Sequence, residues 1–381
     1  MKICLFDWNS GGHHDFYARS FAKALTSKAE VVVAGPAPLL ENIEVPSVEL
    51  YSLGEPRPRP SSDRGYDKAG LARQEIELLR AALAETRPDH AVVLFADPIL
   101  RWLASAERFP CKVSVFVMFA TAHFPGTYGL PLTMRERLSA EFKEWNIRRW
   151  RRRGDAGVIF GLDSEAVARW SGRHGAPAGW LPEPPLEVAP AALPAEEKGG
   201  CFLFGYFDER KGMGRLADAL SQECEGLELS LYGDVAPEYR RQLRVELDRL
   251  ESAGVRLDTD FRRVPYAAAM EKMSRSRCAL LSFGWRPSGS RVLLEAAAAR
   301  TPVVVGNDNA VGRLVERHGL GRTADPADPA ALRESILAIA LDPDSPRHYE
   351  EGLQRYAEDL HGERFAGTLC DALGVSRAGG R

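Results

Sequence analysis

The feature that most constrains this fold is a repeated alternation of short apolar runs with stretches of helical periodicity. In the first half of the chain, the apolar runs cover residues 3–6, 31–34, 91–95, 113–119 and 158–160. The helical stretches between them cover residues 16–25, 71–86, 134–153 and 164–170. Runs that are apolar on both faces and separated by helices predict a parallel sheet with helices on both sides.

The alternation stops between residues 180 and 200, where the chain is rich in Pro, Ala and Glu and shows no periodicity. It then restarts with strands predicted at 201–205, 227–232, 255–257, 278–282 and 302–305. The helices predicted between and after these strands cover 211–220, 237–253, 266–274, 290–299 and 310–318. The aperiodic segment is therefore interpreted as a linker between two domains of similar construction.

These patterns predict an α/β protein of two Rossmann-like, doubly wound domains that face a cleft. A length of 381 residues and a mass of 42.0 kDa suit two or three domains. The predicted division is a first domain at 1–185, a linker at 186–200, a second domain at 201–345 and a C-terminal helix. That helix, within 346–381, is expected to pack back towards the first domain.

Composition narrows the function classes. Fifty Lys and Arg against 53 Asp and Glu give a net charge of −3, which argues against a nucleic-acid binder. The six cysteines are scattered without a CxxC pair, so neither a zinc site nor a disulfide framework is expected. The opening apolar run is only 3–6, too short for a signal peptide, and we expect a cytoplasmic protein.

The first candidate ligand loop directly follows the first predicted strand. Gly11 and Gly12 stand there before His13 and His14, at the start of a predicted helix. Glycines at a strand-to-helix turn let a ligand approach the backbone, and a helix N-terminus attracts anions. A tight turn without a ligand is the alternative interpretation.

The second candidate loop follows the first strand of the second domain. Gly205 ends that strand, and Lys211 lies at the start of the next helix. A lysine in that place can neutralise a diphosphate, the leaving group of a nucleotide sugar. The alternative is a solvated residue at a helix end.

The third candidate loop contains Ser288, Gly289 and Ser290 and precedes an Ala-rich helix. Its backbone N–H groups have the arrangement of an anion-binding nest. Glu295 lies farther along that helix among apolar residues, and a buried carboxylate needs a partner. A ribose diol would supply two hydroxyls, and an ion pair with a neighbouring side chain is the alternative.

Taken together and in order, these segments resemble the GT-B-fold retaining glycosyltransferases. That family includes sucrose-phosphate synthases and phosphatidylinositol mannosyltransferases. Gly11-Gly12 matches its first loop, and the stretch from Gly205 to Gly212 partly matches its Gly-Arg loop followed by Lys-Gly. Glu295 and the stretch from Arg300 to Val304 partly match its Glu-x7-Glu helix and the strand that follows.

The resemblance implies a role for each matching residue. The first domain would bind the acceptor and the second the nucleotide sugar. Lys211 would bind the donor diphosphate, Glu295 the ribose, and His123 would lie near the sugar and the acceptor as a catalytic residue. The remaining donor-side candidates are Gly12, Tyr206, Arg210, Ser288, Gly289, Ser290 and Arg291. The remaining acceptor-side candidates are Gly11, His13, His14 and Asp97.

Two positions depart from the family pattern. The arginine five residues before the lysine is Tyr206 here, and the first glutamate of Glu-x7-Glu is Pro287. Each replacement removes a polar group whose loss typically lowers an enzyme's rate by ~10²–10³. Arg210, Arg286 or Arg291 could compensate, and we expect Arg291 to substitute as the second diphosphate cation; an unusual donor and a non-catalytic homologue are the alternatives.

The resemblance therefore implies a metal-independent glycosyltransferase that retains anomeric configuration and uses no cofactor besides its nucleotide-sugar co-substrate. The acceptor would be a small molecule or a lipid-linked one. The alternatives are a GT-B-fold sugar epimerase and a non-catalytic protein that binds nucleotide sugar. The basic run from Arg148 to Arg153 is either a solvated helix end or a peripheral membrane contact.

Overall fold

The predicted alternation appears as two parallel sheets in the computed structural model of the chain. One unit comprises Met1–Pro185 with His361–Arg381, and the other comprises Leu186–Leu360. The structure describes residues 1–11, 13–58, 67–118, 134–162, 164–174, 178–186, 190–222, 224–262, 264–283, 290–359 and 362–375.

The first unit contains a seven-stranded sheet in the order β3-β2-β1-β4-β5-β6-β7. The strands are β1 (Lys2–Phe6), β2 (Glu30–Gly35), β3 (Val48–Ser52), β4 (His90–Val93), β5 (Lys112–Val117), β6 (Ala156–Gly161) and β7 (Ala178–Trp180). The helices are α1 (His13–Thr26), α2 (Ala37–Leu40), α3 (Lys68–Thr86), α4 (Leu100–Leu103), α5 (Met134–Arg151) and α6 (Ser164–His174).

Alternate residues of these strands supply two separate cores. Cys4 and Phe6 of β1 pack on one face of the sheet, whereas Ile3 and Leu5 pack on the other. Every described pairing between strands of this sheet is parallel. Helices cover both faces, which is why the strands read as continuous apolar runs in the sequence.

The second unit contains a six-stranded sheet in the order β10-β9-β8-β11-β12-β13. The strands are β8 (Gly199–Phe204), β9 (Glu228–Tyr232), β10 (Arg256–Asp260), β11 (Ser276–Leu280), β12 (Val303–Gly306) and β13 (Gly321–Ala324). The helices are α7 (Met213–Ala219), α8 (Arg240–Ser252), α9 (Tyr266–Arg275), α10 (Arg291–Ala298), α11 (Ala310–His318), α12 (Pro329–Ala340) and α13 (Ser345–Asp359).

The predicted fold class, two doubly wound α/β domains, is confirmed. Each sheet also has a point where the chain reverses its direction of winding. The first unit builds outward from β1 to β2 and β3 and then returns to β4, on the other side of β1. The second unit does the same from β8, with β11 on the other side. In open parallel sheets, ligands bind at this point, beyond the carboxyl ends of the strands.

Three strands have no counterpart in the predicted pattern. The edge strand β3 has no buried residue, β7 has only three residues, and β13 begins with a glycine. Each of these strands therefore lacks the continuous apolar run that marks a buried parallel strand. The helix α12 is likewise absent from the predicted elements, although Asp328 caps its first turn.

The C-terminal segment predicted as one helix contains two. Helix α13 packs against α10 in the second unit. Helix α14 (Gly362–Leu373) packs against α1 in the first unit, where the Phe365 and Phe21 rings lie 5.3 Å apart. No helix among the described residues is both long and apolar enough to cross a bilayer.

Candidate functional site

The loop after β8 turns the ammonium of Lys211 inward. Asp208 caps a short 3₁₀ turn over Glu209–Lys211, and Gly212 follows in the left-handed region at φ 72°. The Lys211 Nζ atom donates to the Phe204 carbonyl at 2.5 Å. Burial lowers the pKa of Lys211 to about 8, and the negative charges of Asp208 and Glu295 act against that shift. The lysine thus carries a titratable positive charge at the carboxyl end of the central strand.

Two glycines allow the backbones at the ends of β8 and β9 to approach each other. Gly205 has φ 121° and Gly233 has φ 136°, values that side-chain-bearing residues rarely adopt. A Cβ atom on Gly233 would lie 2.0 Å from the Gly205 carbonyl oxygen. Gly205 is therefore required by the geometry of the loop that leads to Lys211, as well as by the motif.

Glu295 lies on α10 and is 2% exposed. Its Oε1 atom accepts hydrogen bonds from the Tyr266 hydroxyl at 2.9 Å and from Arg291 Nε at 3.0 Å. Its Oε2 atom is buried and has no hydrogen-bond partner among the residues that the structure describes. Burial raises the pKa of the carboxyl, while Arg291, Tyr266 and Lys211 act against the rise. An unpaired oxygen on a buried carboxylate is costly, and a ligand hydroxyl would satisfy it.

The loops after β8 and β11 meet at the point where the sheet reverses direction. The Phe283 N–H donates to the Lys211 carbonyl at 3.2 Å, and Arg215 Nη1 donates to the Phe283 carbonyl at 2.6 Å. Helix α10 then begins after Ser290, whose hydroxyl caps the N–H of Leu293 at 3.3 Å. The predicted donor residues Ser288 and Gly289, and the substituted position Pro287, lie outside the described residues.

Arg291 lies beside Glu295, the residue predicted to bind the ribose. Besides its bond to Glu295, its guanidinium carbon lies 5.1 Å from the centre of the Tyr266 ring. The arginine side chain is 19% exposed. Arg291 therefore helps to hold the Glu295 carboxylate, which is the ion pair given as the alternative interpretation of Glu295 in the sequence.

The other two predicted donor residues lie at the surface. Tyr206, which stands where the family has arginine, is 42% exposed. Arg210 is paired with Asp208 through its Nη2 atom at 2.6 Å and its Nε atom at 2.7 Å. The charge of Arg210 also contributes to the lowered pKa of Lys211.

The first unit brings an aspartate and a histidine together at the end of β1. The Asp7 Oδ2 atom lies 2.8 Å from Nδ1 of His14, and Asp7 is almost fully buried. Its Oδ1 atom accepts from both the backbone N–H and the side-chain amide of Asn9 at 2.9 Å. In a neutral imidazole, a carboxylate that accepts from Nδ1–H leaves Nε2 as a hydrogen-bond acceptor.

A second buried carboxylate shapes the glycine turn. Gly11 has φ 84°, and its N–H donates to Asp15 Oδ1 at 2.8 Å. The other oxygen of Asp15 accepts from the Asn42 side-chain amide at 2.9 Å. Among the described residues, no atom lies within 4 Å of a Cβ built on Gly11, so the turn has open space beside it. Gly12 lies outside the described residues.

The remaining acceptor-side candidates lie near the same carboxyl edge. The His14 ring stands edge-on to Phe95, just after β4, with ring centres 4.9 Å apart. The exposed His13 ring lies 4.4 Å from that of His14. Asp97 accepts the N–H of Met118, after β5, at 2.9 Å. His123 lies outside the described residues.

Sequence reasoning missed Asp7, Phe95 and Tyr266. Asp7 and Phe95 had a usable signal, because both stand at the ends of predicted strands that meet at one sheet edge. Tyr266 is 29 residues from Glu295, and nothing local in the sequence indicates their contact.

The described residues contain no group of three or more His, Cys, Asp or Glu side chains that could hold a metal ion. All six cysteines are free, and all except the half-buried Cys111 are buried.

Comparison with known protein families finds a match within the second unit. Residues 200–342 match the family model described as glycosyl transferases group 1. The matched region begins in β8 and extends just past α12, so it contains Lys211, Arg291 and Glu295. No curated protein sequence matches the chain.

Several solved structures share the fold over nearly the whole chain. Sucrose-phosphate synthase from Thermosynechococcus elongatus has a TM-score of 0.73 at 16% identity, covering 99% of this chain and 100% of that one. A UDP-forming α,α-trehalose-phosphate synthase from Burkholderia vietnamiensis has a TM-score of 0.71 at 12% identity, covering 98% of each chain. Anabaena HepE, solved with UDP and glucose, has a TM-score of 0.68 at 16% identity, covering 99% of this chain and 100% of that one.

At these identities the structural likeness establishes the fold, and the family model extends over residues 200–342 of the second unit. The resemblance drawn from the ordered motifs is supported by both comparisons: residues 200–342 of the second unit match the group 1 glycosyl transferase model, and the chain as a whole has the GT-B fold.

Proposed function

We propose that this protein transfers a sugar from a nucleotide-diphosphate sugar to an acceptor hydroxyl, with retention of anomeric configuration and without a metal ion. The observation that carries the proposal is the buried Glu295 carboxylate: Tyr266 and Arg291 hold one of its oxygens, and no described residue pairs with the other. A ribose hydroxyl donating to that oxygen would satisfy it. The UDP complex of Anabaena HepE supports a nucleotide ligand for this fold.

Positive charge near Glu295 would stabilise the departing diphosphate. Lys211 is the first cation, since it lies at the carboxyl end of β8 and its charge acts on Glu295. Arg291 is the second cation we propose, and its Nε atom meanwhile positions Glu295. Fixed cations that need no reorganisation are a large contribution to transition-state stabilisation, so this site would need no metal to neutralise the leaving group.

In the proposed reaction, the acceptor oxygen forms a bond to the anomeric carbon on the face from which the diphosphate departs. The bond between that carbon and the β-phosphate oxygen breaks, and the leaving phosphate oxygen takes the acceptor proton. The first unit would hold the acceptor, a small molecule or a lipid-linked one. There Nε2 of His14, oriented by Asp7, would accept a hydrogen bond from an acceptor hydroxyl.

The direct test is a product assay with a panel of nucleotide sugars and acceptor alcohols, followed by NMR of the product. We expect release of nucleoside diphosphate that depends on acceptor, and a product with the anomeric configuration of the donor. Inverted product would contradict retention while leaving transfer intact. Loss of activity on chelation of divalent metals would contradict metal independence.

A non-catalytic nucleotide-sugar binder is the second candidate, and Tyr206 favours it. The family's diphosphate-binding arginine is replaced here by an aromatic side chain that is 42% exposed. The same assay separates the candidates, because a binder would take up donor without turnover of any acceptor. A sugar epimerase would instead convert the donor in the absence of acceptor.

A further inference from the structure

A stripe of large apolar side chains runs along the solvent side of helix α5. Met134, Leu138, Phe142 and Trp145 are 80%, 66%, 43% and 52% exposed, respectively. Their spacing of four, four and three residues aligns them on one helix face. The other side of the helix holds Ile147 and Trp150, which are fully buried in the core of the first unit. Helix α5 is therefore anchored by its inner face and carries a separate apolar stripe outside.

Arginines line this apolar stripe. Eight described side chains of α5 are exposed: the four apolar ones, the arginines Arg137, Arg148 and Arg149, and the single glutamate Glu141. The Arg149 guanidinium lies 5.6 Å from the centre of the Trp145 ring. Arg101 of the neighbouring α4 lies 4.9 Å from the centre of the Phe142 ring. Cations thus lie over the exposed aromatic rings as well as beside them.

The combination of an apolar stripe with arginines selects among possible partners. A second copy of this chain, docked stripe to stripe, would bring arginines against arginines, with Glu141 as the exposed counter-charge among the described side chains of the helix. A nucleic acid would pair with the arginines but leave four apolar side chains uncovered. An anionic lipid surface satisfies both features, because it offers phosphates to arginine and an apolar layer to Leu, Met, Phe and Trp.

We propose that helix α5 docks this protein on an anionic membrane surface. Met134, Leu138, Phe142 and Trp145 enter the boundary between headgroups and acyl chains. Arg149 contacts the phosphates, together with Arg148, whose Nη2 atom also lies 3.2 Å from Oε1 of Glu144. Trp145 is suited to this depth, because tryptophan favours the membrane interface. The docking involves no residue of the proposed sugar-transfer site, so it can hold or fail independently of that activity.

Vesicle binding of the full-length protein tests the proposal. We expect sedimentation with vesicles of phosphatidylcholine mixed with phosphatidylglycerol, weakened by salt, and little with phosphatidylcholine alone. The double variant Leu138→Ser/Phe142→Ser should lower the partition coefficient at least about tenfold, since two apolar anchors are lost. Arg149→Gln should lower it roughly fivefold, the contribution of one basic residue near an anionic surface.

The matched control is Val245→Ser, which removes an exposed apolar side chain from α8 of the second unit. It should bind vesicles as the wild type does, and thermal melting by circular dichroism should show that every variant is folded. The proposal is overturned if the wild-type protein does not bind the anionic vesicles, or if the double variant binds them as well as the wild type does. So does a dimer, seen by ultracentrifugation without lipid, that the double variant abolishes.

Discussion

At the scale of single residues, the site depends on how polar groups are held in apolar surroundings. The motifs identify Glu295 and Lys211 as candidates, because the residue types and the order of the loops are local properties of the sequence. The groups that hydrogen-bond to these residues or shift their pKa values could not be predicted in this way. Tyr266 reaches Glu295 from another helix, and Asp208 acts on Lys211 through the fold of a loop. Such partners depend on the three-dimensional path of the chain.

The lowered pKa of Lys211 predicts that donor binding weakens with rising pH. With a pKa of about 8, the ammonium is mostly protonated at pH 7 and only about one tenth protonated at pH 9. The affinity for a nucleoside diphosphate should therefore fall by up to about tenfold over that interval, measured by calorimetry. The Lys211→Arg variant keeps its positive charge over this interval, so its affinity for the nucleoside diphosphate should hardly change between pH 7 and pH 9. A wild-type affinity that is equally flat would contradict this role of Lys211.

From the pair formed by Asp7 and His14, we predict that substitutions of either residue weaken binding of the acceptor and leave binding of the donor unchanged. Asp7→Asn can donate to Nδ1 and thereby convert Nε2 from acceptor to donor, whereas its Oδ1 can still hold Asn9. Asp7→Asn and His14→Gln should each raise the acceptor KM by about tenfold, the value of one hydrogen bond, with little change in donor affinity. His348→Gln, an exposed histidine on α13, is the control. A change in donor affinity of the same size would point to a general loss of structure.

At the scale of elements, buried hydrogen bonds hold the ends of helices in position beside the sheet. Lys198 is almost fully buried just before β8, and its Nζ atom donates to the Ser274 and Ala299 carbonyls, both at 2.8 Å. These carbonyls lie at the ends of α9 and α10, the helices that carry Tyr266 and Glu295. One lysine thus positions both helices of the candidate site, a role that the interpretation of 186–200 as a linker does not predict.

Replacing Lys198 should therefore destabilise the second unit. Lys198→Met leaves carbonyls buried without a donor, and we expect the free energy of unfolding to fall by about 2–4 kcal/mol in urea titrations. Lys23→Met, on the exposed side of α1, is the matched control and should change it by less than about 0.5 kcal/mol. Equal stability of the two variants would contradict the role given to Lys198.

His90 of β4 predicts the acid sensitivity of the first unit. Burial lowers its pKa to about 4 from an ordinary value of 6.5, and its Nε2 atom lies 2.8 Å from the Ser114 hydroxyl of β5. The unfolded chain therefore takes up a proton below pH 6.5 that the folded chain takes up only near pH 4. Stability should be lost as the pH falls through this window, by up to about 3 kcal/mol.

The comparison with His90→Gln isolates this contribution. Unfolding free energies of the two proteins, measured at pH 7 and at pH 4.5, should show a smaller acid loss in the variant. An equal loss in both would mean that other groups cause the acid sensitivity.

At the scale of the whole molecule, the two sheets could be predicted because most of their strands are buried on both faces and bounded by helices. The same reasoning failed at the sheet edges, where β3 is part-exposed and β7 and β13 are short. The candidate residues chosen from motifs do follow strands at which the sheets reverse direction, although the strand order itself is not predicted from the sequence. Sequence reasoning could not provide the contacts across loops, such as Phe283 to Lys211 or Phe95 to His14.

The central claim is that the second unit holds the diphosphate and ribose of a nucleotide sugar with Lys211 and Glu295. The most direct measurement is calorimetric titration of the full-length protein with UDP, GDP, ADP and dTDP, repeated with Lys211→Ala/Glu295→Ala. We predict that one of the four binds clearly and that the double variant, although folded, loses this binding. Binding of none of them, or binding that the double variant keeps, would contradict the claim.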